Sequence, residues 1–247
     1  PDLQLKEIYN KIIPDFEKKT YSSQEIMKAI TNDMDKYNFF IDFAIHNIDD
    51  MNDFSDYVCL IRNNDLKLDA CKKCFDISKH DLSQYKHIWI LDDDCLTTPE
   101  NIAATFDFCK EHNLDLAQPG LTPDSSRSHP PTLMIPGAKL HYTNTVEIMA
   151  PIFSQRAWPE CSEHFGKMPL GVGYGLEGYW SDILQSVSGT TKFGGKVAVI
   201  DAYPVKHTRT VTGPNDYARM GIDPGVDGHY FANLGYGWSF KTIEVIM

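Results

Sequence analysis

Short apolar runs alternating with amphipathic stretches predict an α/β domain in which helices cover a sheet. Three observations carry this. "HIWIL" and "KVAVID" are continuous apolar runs of the kind found in strands buried on both faces. The stretch after Asp94 combines helix-start residues with apolar positions at helical spacing. Between such segments lie loops rich in Pro, Ser and Gly, with no internal repeat and no low-complexity tract.

Taken in order, Leu5, Ile8 and Ile12, then Ile26, Ile30 and Met34, recur at helical spacing with a break at Pro14 and a restart after Ser22 and Ser23. Residues 1–36 are therefore expected to be a helical N-terminal segment and residues 37–247 a single α/β domain. "NFFIDFAIH" and "DYVCLI" have strand composition and boundaries, and "HIWIL" is a third strand. Thr97 with Glu100 makes a capping-box pattern, Pro99 fits a first helical turn, and Ile102, Ala103, Phe106 and Cys109 line one face, so a helix of about four turns should follow. "LDLAQ" is the next strand and "PGLTPDSSRSHPPT" a long loop of the sort that often carries function. "KLHYTNTVEIMAPIFS" holds one or two strands, and Ser154 is placed to cap a helix through about Phe165. "KMPLGVGYG" is a glycine-rich loop before a helix in "LEGYWSDILQSV". "KVAVID" is the last clear strand, and the remainder reads as turn-rich.

The 247 residues, 42% hydrophobic and 23% charged, suffice for a sizeable core. A formal net charge of -11, from 34 acidic against 23 basic residues, argues against general affinity for nucleic acid or anionic membranes. No apolar run approaches the ~20 residues that span a bilayer, and the start has no signal-peptide core. The six cysteines form no dense framework, so free thiols and a cytoplasmic setting, at most peripheral to a membrane, are expected. The first residue is proline rather than methionine, which fits a piece of a larger polypeptide.

The chemistry centres on Asp92, Asp93 and Asp94, which follow an apolar strand. Ligands of open α/β sheets gather beyond the carboxyl ends of strands, and hard cations such as Mg²⁺ or Mn²⁺ take one or two carboxylates there. If the strand pattern continues, Asp92 and Asp94 share a face. The plain alternative is that the three only solvate a turn and favour the next helix start. Glu177, at a helix start after the glycine loop, could be a simple capping group, and His207 beyond "KVAVID" a structural imidazole. "GYGLEG" lacks the flanking strands of a dinucleotide loop, and "GTTKFGGK" lacks the Gly-Lys-Ser/Thr ending of a phosphate loop. Cys71 and Cys74 have no second pair at zinc spacing.

"YKHIWILDDDCLTTPENI", "LDLAQPGLTPDSSRSHPPT", "YTNTVEIMAPIFSQRA", "GLEGYW" and "VAVIDAYPVKHTR" together resemble, in order and spacing, the family known as domain of unknown function 707. That family looks like the GT-A nucleotide-sugar glycosyltransferases. The resemblance implies a Rossmann-type mixed sheet flanked by helices. It makes Asp92 and Asp94 the metal-binding acid pair that grips a nucleotide diphosphate, His207 a further metal ligand and Glu177 the general base of an inverting transfer. Asp93, Gln118, Asp124, Ser125, His129, Thr143, Asn144 and Glu147 fall in blocks that would line the donor or acceptor pocket. Mn²⁺ or Mg²⁺ is the implied cofactor, a UDP-sugar the implied donor, and a glycan or lipid-linked hydroxyl the acceptor, in surface-polysaccharide assembly. Two departures stand out: the family opens with an apolar strand where residues 1–36 read as helix, and it carries aspartate where this chain has Glu177.

Two other classes compete. An aspartate-nucleophile phosphatase would use Asp92 as nucleophile and Asp94 as acid/base, but needs a downstream acidic pair where Asp201 stands alone. A non-catalytic carbohydrate-binding or scaffold domain of transferase origin would keep the fold without the chemistry.

Overall fold

The computed structural model describes residues 23–31, 36, 41–45, 58–62, 66–77, 81–209, 217 and 221–247. In chain order these give α1 (Ser23–Thr31), β1 (Ile41–Ile45), β2 (Val58–Arg62), α2 (Lys67–Ile77), β3 (His87–Trp89), β4 (Cys95–Leu96) and α3 (Pro99–Glu111). Then come β5 (Leu114–Leu121), β6 (Leu140–Thr143), β7 (Ile152–Ser154), the single turn α4 (Trp158–Cys161), α5 (Leu176–Ile183), β8 (Lys196–His207), α6 (Gly225–Asn233) and β9 (Thr242–Ile246). A seven-stranded mixed sheet runs in the order β3-β7-β5-β8-β6-β9, with β4 pairing β8 off that path. β1 and β2 form a parallel pair of their own. The architecture is the expected mixed α/β sheet flanked by helices.

The centre of the sheet is the parallel pair β5 and β8, with Ala117 opposite Ala198 and Gln118 opposite Val199. All eight residues of β5 are buried, including Asp115 and Gln118, whose polar groups find partners inside the protein. On one side α3 lays Phe108 and Cys109 against Leu114, Ala117, Ala198 and Ile200. A second cluster joins Trp180, Tyr179 and Leu176 of α5 to Phe153, Phe165, Leu68 and Phe231. Fully burying side chains of this size contributes roughly 1.5–3 kcal/mol each. α1 seats Ile26 against Leu96 and Ile30 against Ile102. The rest of the helical lead-in before residue 23, and any strand there, lies outside the described residues.

Four local expectations are corrected. The cap of α3 is Thr98, whose hydroxyl accepts the Asn101 N–H at 3.2 Å. Thr97 is turned inward instead and accepts the Asn101 side-chain amide at 2.9 Å, an amide that also reaches the Pro204 carbonyl at 3.1 Å and ties the helix to β8. The helix expected after Ser154 is only α4: the Ser154 hydroxyl does accept the Ala157 N–H at 3.3 Å while donating to Asp115 at 2.8 Å, but beyond Cys161 the chain continues in separate turns that draw Phe165 into the core with Cys161. The strand begun by "KVAVID" does not stop at Asp201 but runs through Pro204 to His207, since its last residues pair with β4. The tail is not all turn: it contains α6 and the edge strand β9, whose mostly exposed β-branched residues Thr242, Ile243, Val245 and Ile246 pair with β6.

α6 matters for the site because of Asp227. Its fully buried carboxylate accepts the N–H groups of Leu170 at 2.9 Å, Val172 at 2.8 Å and Gly173 at 3.0 Å. These bonds fix the glycine loop that feeds α5, where Gly175 takes a φ of 97°. The Gly171 carbonyl in turn accepts the Leu68 N–H at 3.1 Å, so the start of α2 is hung on the same loop. No helix among the described residues is long and apolar enough to cross a membrane. Asp227→Ala strands two buried donors and one part-buried donor and is expected to lower stability by about 3 kcal/mol. A urea titration should show a lower midpoint at unchanged slope; an unmoved midpoint would mean the loop holds itself.

Candidate functional site

The acidic turn and the end of β8 are brought together by backbone pairing. Strand β3 ends at Trp89, the chain turns at 93–94, and β4 then lies antiparallel to β8 with Cys95 opposite His207 and Leu96 opposite Lys206. The Thr208 N–H donates to the Asp94 carbonyl at 2.9 Å. That register places the Asp94 carboxylate beside the imidazole, Oδ2 to His207 Nε2 at 3.1 Å. The other ring nitrogen, Nδ1, lies 2.8 Å from the Ser126 carbonyl, and the His207 N–H donates to the Ser125 hydroxyl at 3.0 Å. The ring is thus held from both ends, as metal-binding or proton-handling imidazoles usually are. Asp94 Oδ1 is buried and has no hydrogen-bond partner among the described residues.

The three aspartates part company here. Because the chain turns instead of continuing as a strand, Asp92 swings to Lys67 at the start of α2, Oδ1 to Nζ at 2.5 Å. The same ammonium donates to the carbonyls of Ile148 and Met149, the latter at 3.0 Å. Asp93 is exposed and meets the Arg209 guanidinium through two bonds of 3.2 and 3.0 Å.

Two glutamates share this neighbourhood. Glu177, in the first turn of α5, is only 5% exposed, and the Thr145 hydroxyl donates to its carbonyl at 2.8 Å. Glu147, 6% exposed, sits in the connection between β6 and β7, where its N–H donates to Gln118 Oε1 at 2.6 Å. Its Oε2 is a second buried oxygen with no hydrogen-bond partner among the described residues.

Electrostatics show that these groups share one environment. Burial pushes the Glu147 carboxyl up to about 7; the Glu177 charge adds to the rise while His207 opposes it. Burial likewise pushes Glu177 up to about 7, against the pull of backbone groups and of Lys67. Burial also raises Asp92, although Lys67 counteracts it. For Asp94 burial works upward too, but the hydrogen bond and charge of His207 win and hold it below the ordinary value. His207 responds in kind: burial lowers it, and its bond to Asp94 more than compensates. Acids whose environments drive them apart, one kept ionised and others near neutrality, are a recurring feature of catalytic sites.

Other anticipated residues have different employment. Asp124 accepts the Thr122 hydroxyl at 2.7 Å and pairs with Lys206 at 2.8 Å, and Ser125 supports the His207 backbone. The Thr143 hydroxyl donates to the Thr145 carbonyl at 2.7 Å. Asn144 fixes the tail, donating to the Ser239 carbonyl and accepting the Lys241 N–H, both at 2.8 Å. His129 is half-buried beside Trp238. The look-alike loops are occupied by the chain itself: Gly173 N–H serves Asp227, and Gly195 N–H and Thr191 serve Asp115. Asp201, which a phosphatase would need as an acid, is locked to His141 at 2.9 Å and to the Ile135 N–H at 2.8 Å. Lys67 was not foreseen; one lysine among several in "LKLDACKKC" carries no local mark of its role.

A family model described as a protein of unknown function, DUF707, matches residues 15–220. The chain belongs to the DUF707 family. Comparison with curated proteins gives no match. The DUF707 match takes in both glutamates, the aspartates and His207, and stops before α6 and β9.

The buried glutamates give a pH dependence of stability. Each carboxyl titrates near 4.5 when unfolded and near 7 when folded, so the folded state binds more protons between those values and stability falls as pH rises through that window. Glu147→Gln and Glu177→Gln are each expected to stabilise by about 1–3 kcal/mol near pH ~8 and by almost nothing near pH ~4. Thermal unfolding at the two pH values checks this; equal effects at both would remove burial of the charge as the cause.

Proposed function

We propose that this DUF707 protein is a metal-dependent, inverting glycosyltransferase that moves a sugar from a nucleotide-sugar donor, with UDP-sugars first among those to test, to a hydroxyl of a glycan or lipid-linked acceptor. The observation that carries the reading is the juxtaposition of an ionised Asp94–His207 pair, with one unpartnered aspartate oxygen, and two buried glutamates poised near neutrality.

Among the described residues no group of three or more His, Cys, Asp or Glu side chains could hold a metal ion. Asp94, and His207 once an ion displaces its Nε2 proton, nonetheless fit the pattern of Mg²⁺ and Mn²⁺ sites with one or two protein ligands and substrate phosphate and water in the rest. The unpartnered Asp94 Oδ1 supports that fit. When bound, the ion would act as a Lewis acid for the charge that develops on the departing diphosphate. Asp92 is held by Lys67 and would serve better as a fixed acceptor for donor hydroxyls than as a ligand. Glu177, near neutral and within the field of Lys67, is suited to take the proton of the attacking hydroxyl, since a base works best with an affinity close to the working pH.

The expected result of a thermal-shift titration is stabilisation by UDP only with Mn²⁺ or Mg²⁺, amounting to about 2.7 kcal/mol at a hundredfold excess over Kd. Asp94→Ala should abolish it; tight binding indifferent to EDTA would sink the metal role. Glu177→Gln should keep the UDP response while lowering sugar-nucleotide turnover about 10²–10⁴-fold. A wild-type protein that binds UDP and metal but turns over no UDP-sugar would instead favour a carbohydrate-binding role.

A further inference from the structure

The geometry points to a saccharide subsite beside this centre, with the Trp238 indole as the platform for a sugar ring and the unpartnered oxygen of Glu147 as an acceptor for one of its hydroxyls. This rests on the transferase reading only for which sugar, acceptor or donor, occupies it.

Trp238 is 57% exposed, an unusual position for a large aromatic ring. It is not on a loose strand of chain. Asn144 holds the following residues through the Ser239 carbonyl and the Lys241 N–H. On the other side the segment presses on α5 so closely that a Cβ at Gly178 would lie 2.4 Å from the Gly237 carbonyl oxygen and 3.5 Å from the Trp238 Cα. The indole backbone is therefore seated directly against the residue after Glu177. The His129 ring stands 5.1 Å from the indole at an interplanar angle of 42°, and more than half of the Trp238 surface stays exposed beside it.

The second observation is independent of the first. The side chain of Ser128, the neighbour of His129, is near enough to Glu147 to draw its carboxyl slightly back down. Glu147 is more than nine-tenths buried, yet its Oε2 has no partner among the described residues. A buried carboxylate oxygen left without a donor is rare and calls for a ligand. A pyranose ring supplies both demands: its axial C–H bonds face the negative π-cloud of an indole, while its hydroxyls donate at the ring edge. An apolar partner would satisfy the indole and leave Glu147 stranded. A ligand with an apolar face and a polar rim answers both.

The test uses the whole protein, with UDP and Mn²⁺ present, and a panel of methyl hexopyranosides and disaccharides titrated up to ~50 mM, read by tryptophan fluorescence and by saturation-transfer NMR. At least one sugar is expected to bind and to perturb emission. Trp238→Ala should weaken that binding about tenfold or more, Trp238→Phe by less, and Glu147→Gln should weaken it while leaving the fluorescence change on residual binding intact. Circular dichroism and the melting temperature confirm that each variant folds. Sugar binding equal in wild type and Trp238→Ala, or no binding anywhere in the panel, overturns the subsite. The wild-type response to UDP and Mn²⁺ is measured separately. If it is absent while Trp238-dependent sugar binding persists, the transferase reading falls and the subsite stands; the converse result removes the subsite alone.

Discussion

The antiparallel pairing of two residues of β4 with the end of β8 is the constraint on which the site depends. Cys95 opposite His207 and Leu96 opposite Lys206 make a short ladder, yet it closes the turn carrying three aspartates against a long strand that spans the core. A slip of one residue would turn His207 away from Asp94, because side chains alternate faces along a strand. The ladder is backed by buried neighbours: Cys95 packs with Leu121, Met149 and Val205, and Leu96 meets Ile26 of α1. Hydrophobic packing thus sets the register, and the register sets the distance between acid and imidazole.

Around that centre, buried polar groups fall into two kinds. Some are fully satisfied clamps. Asp227 gathers the glycine loop, Asp115 gathers Ser154, Thr191, Arg156 and the Gly195 N–H, and Asp201 pairs with His141. Each exchanges the desolvation of a carboxylate for several donors in a fixed arrangement, which rigidifies the loops that surround the cleft. The other kind is incomplete: Asp94 Oδ1 and Glu147 Oε2 are buried without donors, and Glu177 is driven toward its neutral form. A fold that tolerates such groups gives up stability where they lie.

Much of this was legible in the residues. The strands at "HIWIL", "LDLAQ" and "KVAVID" and the helix beginning at Pro99 follow from apolar runs and start residues. Asp92, Asp94, Glu177, Glu147 and His207 were all picked out by position or by block resemblance, and they share one electrostatic neighbourhood. What escaped did so for identifiable reasons. Thr97 and Thr98 are equivalent as caps by chemistry, and only the contact of Asn101 with Pro204 decides between them. β9 is an edge strand whose β-branched Thr242, Ile243, Val245 and Ile246 are a strand signal in themselves, but they stand at the end of a glycine-rich tail and read as part of its turns. Lys67 belongs to a helix that reaches the site through a loop a hundred residues later in the chain.

The sequence by itself determined the α/β class, the order of its principal strands and helices and the identity of the acids available for chemistry, because periodicity, capping residues and side-chain type are local properties. The tertiary structure alone decided how those acids divide their work. Whether an aspartate faces a lysine, an arginine or a histidine depends on strand register and loop anchoring between distant residues. Whether a glutamate is ordinary or shifted to about 7 depends on how much water the surrounding packing removes. Neither quantity is written in any short stretch of the chain.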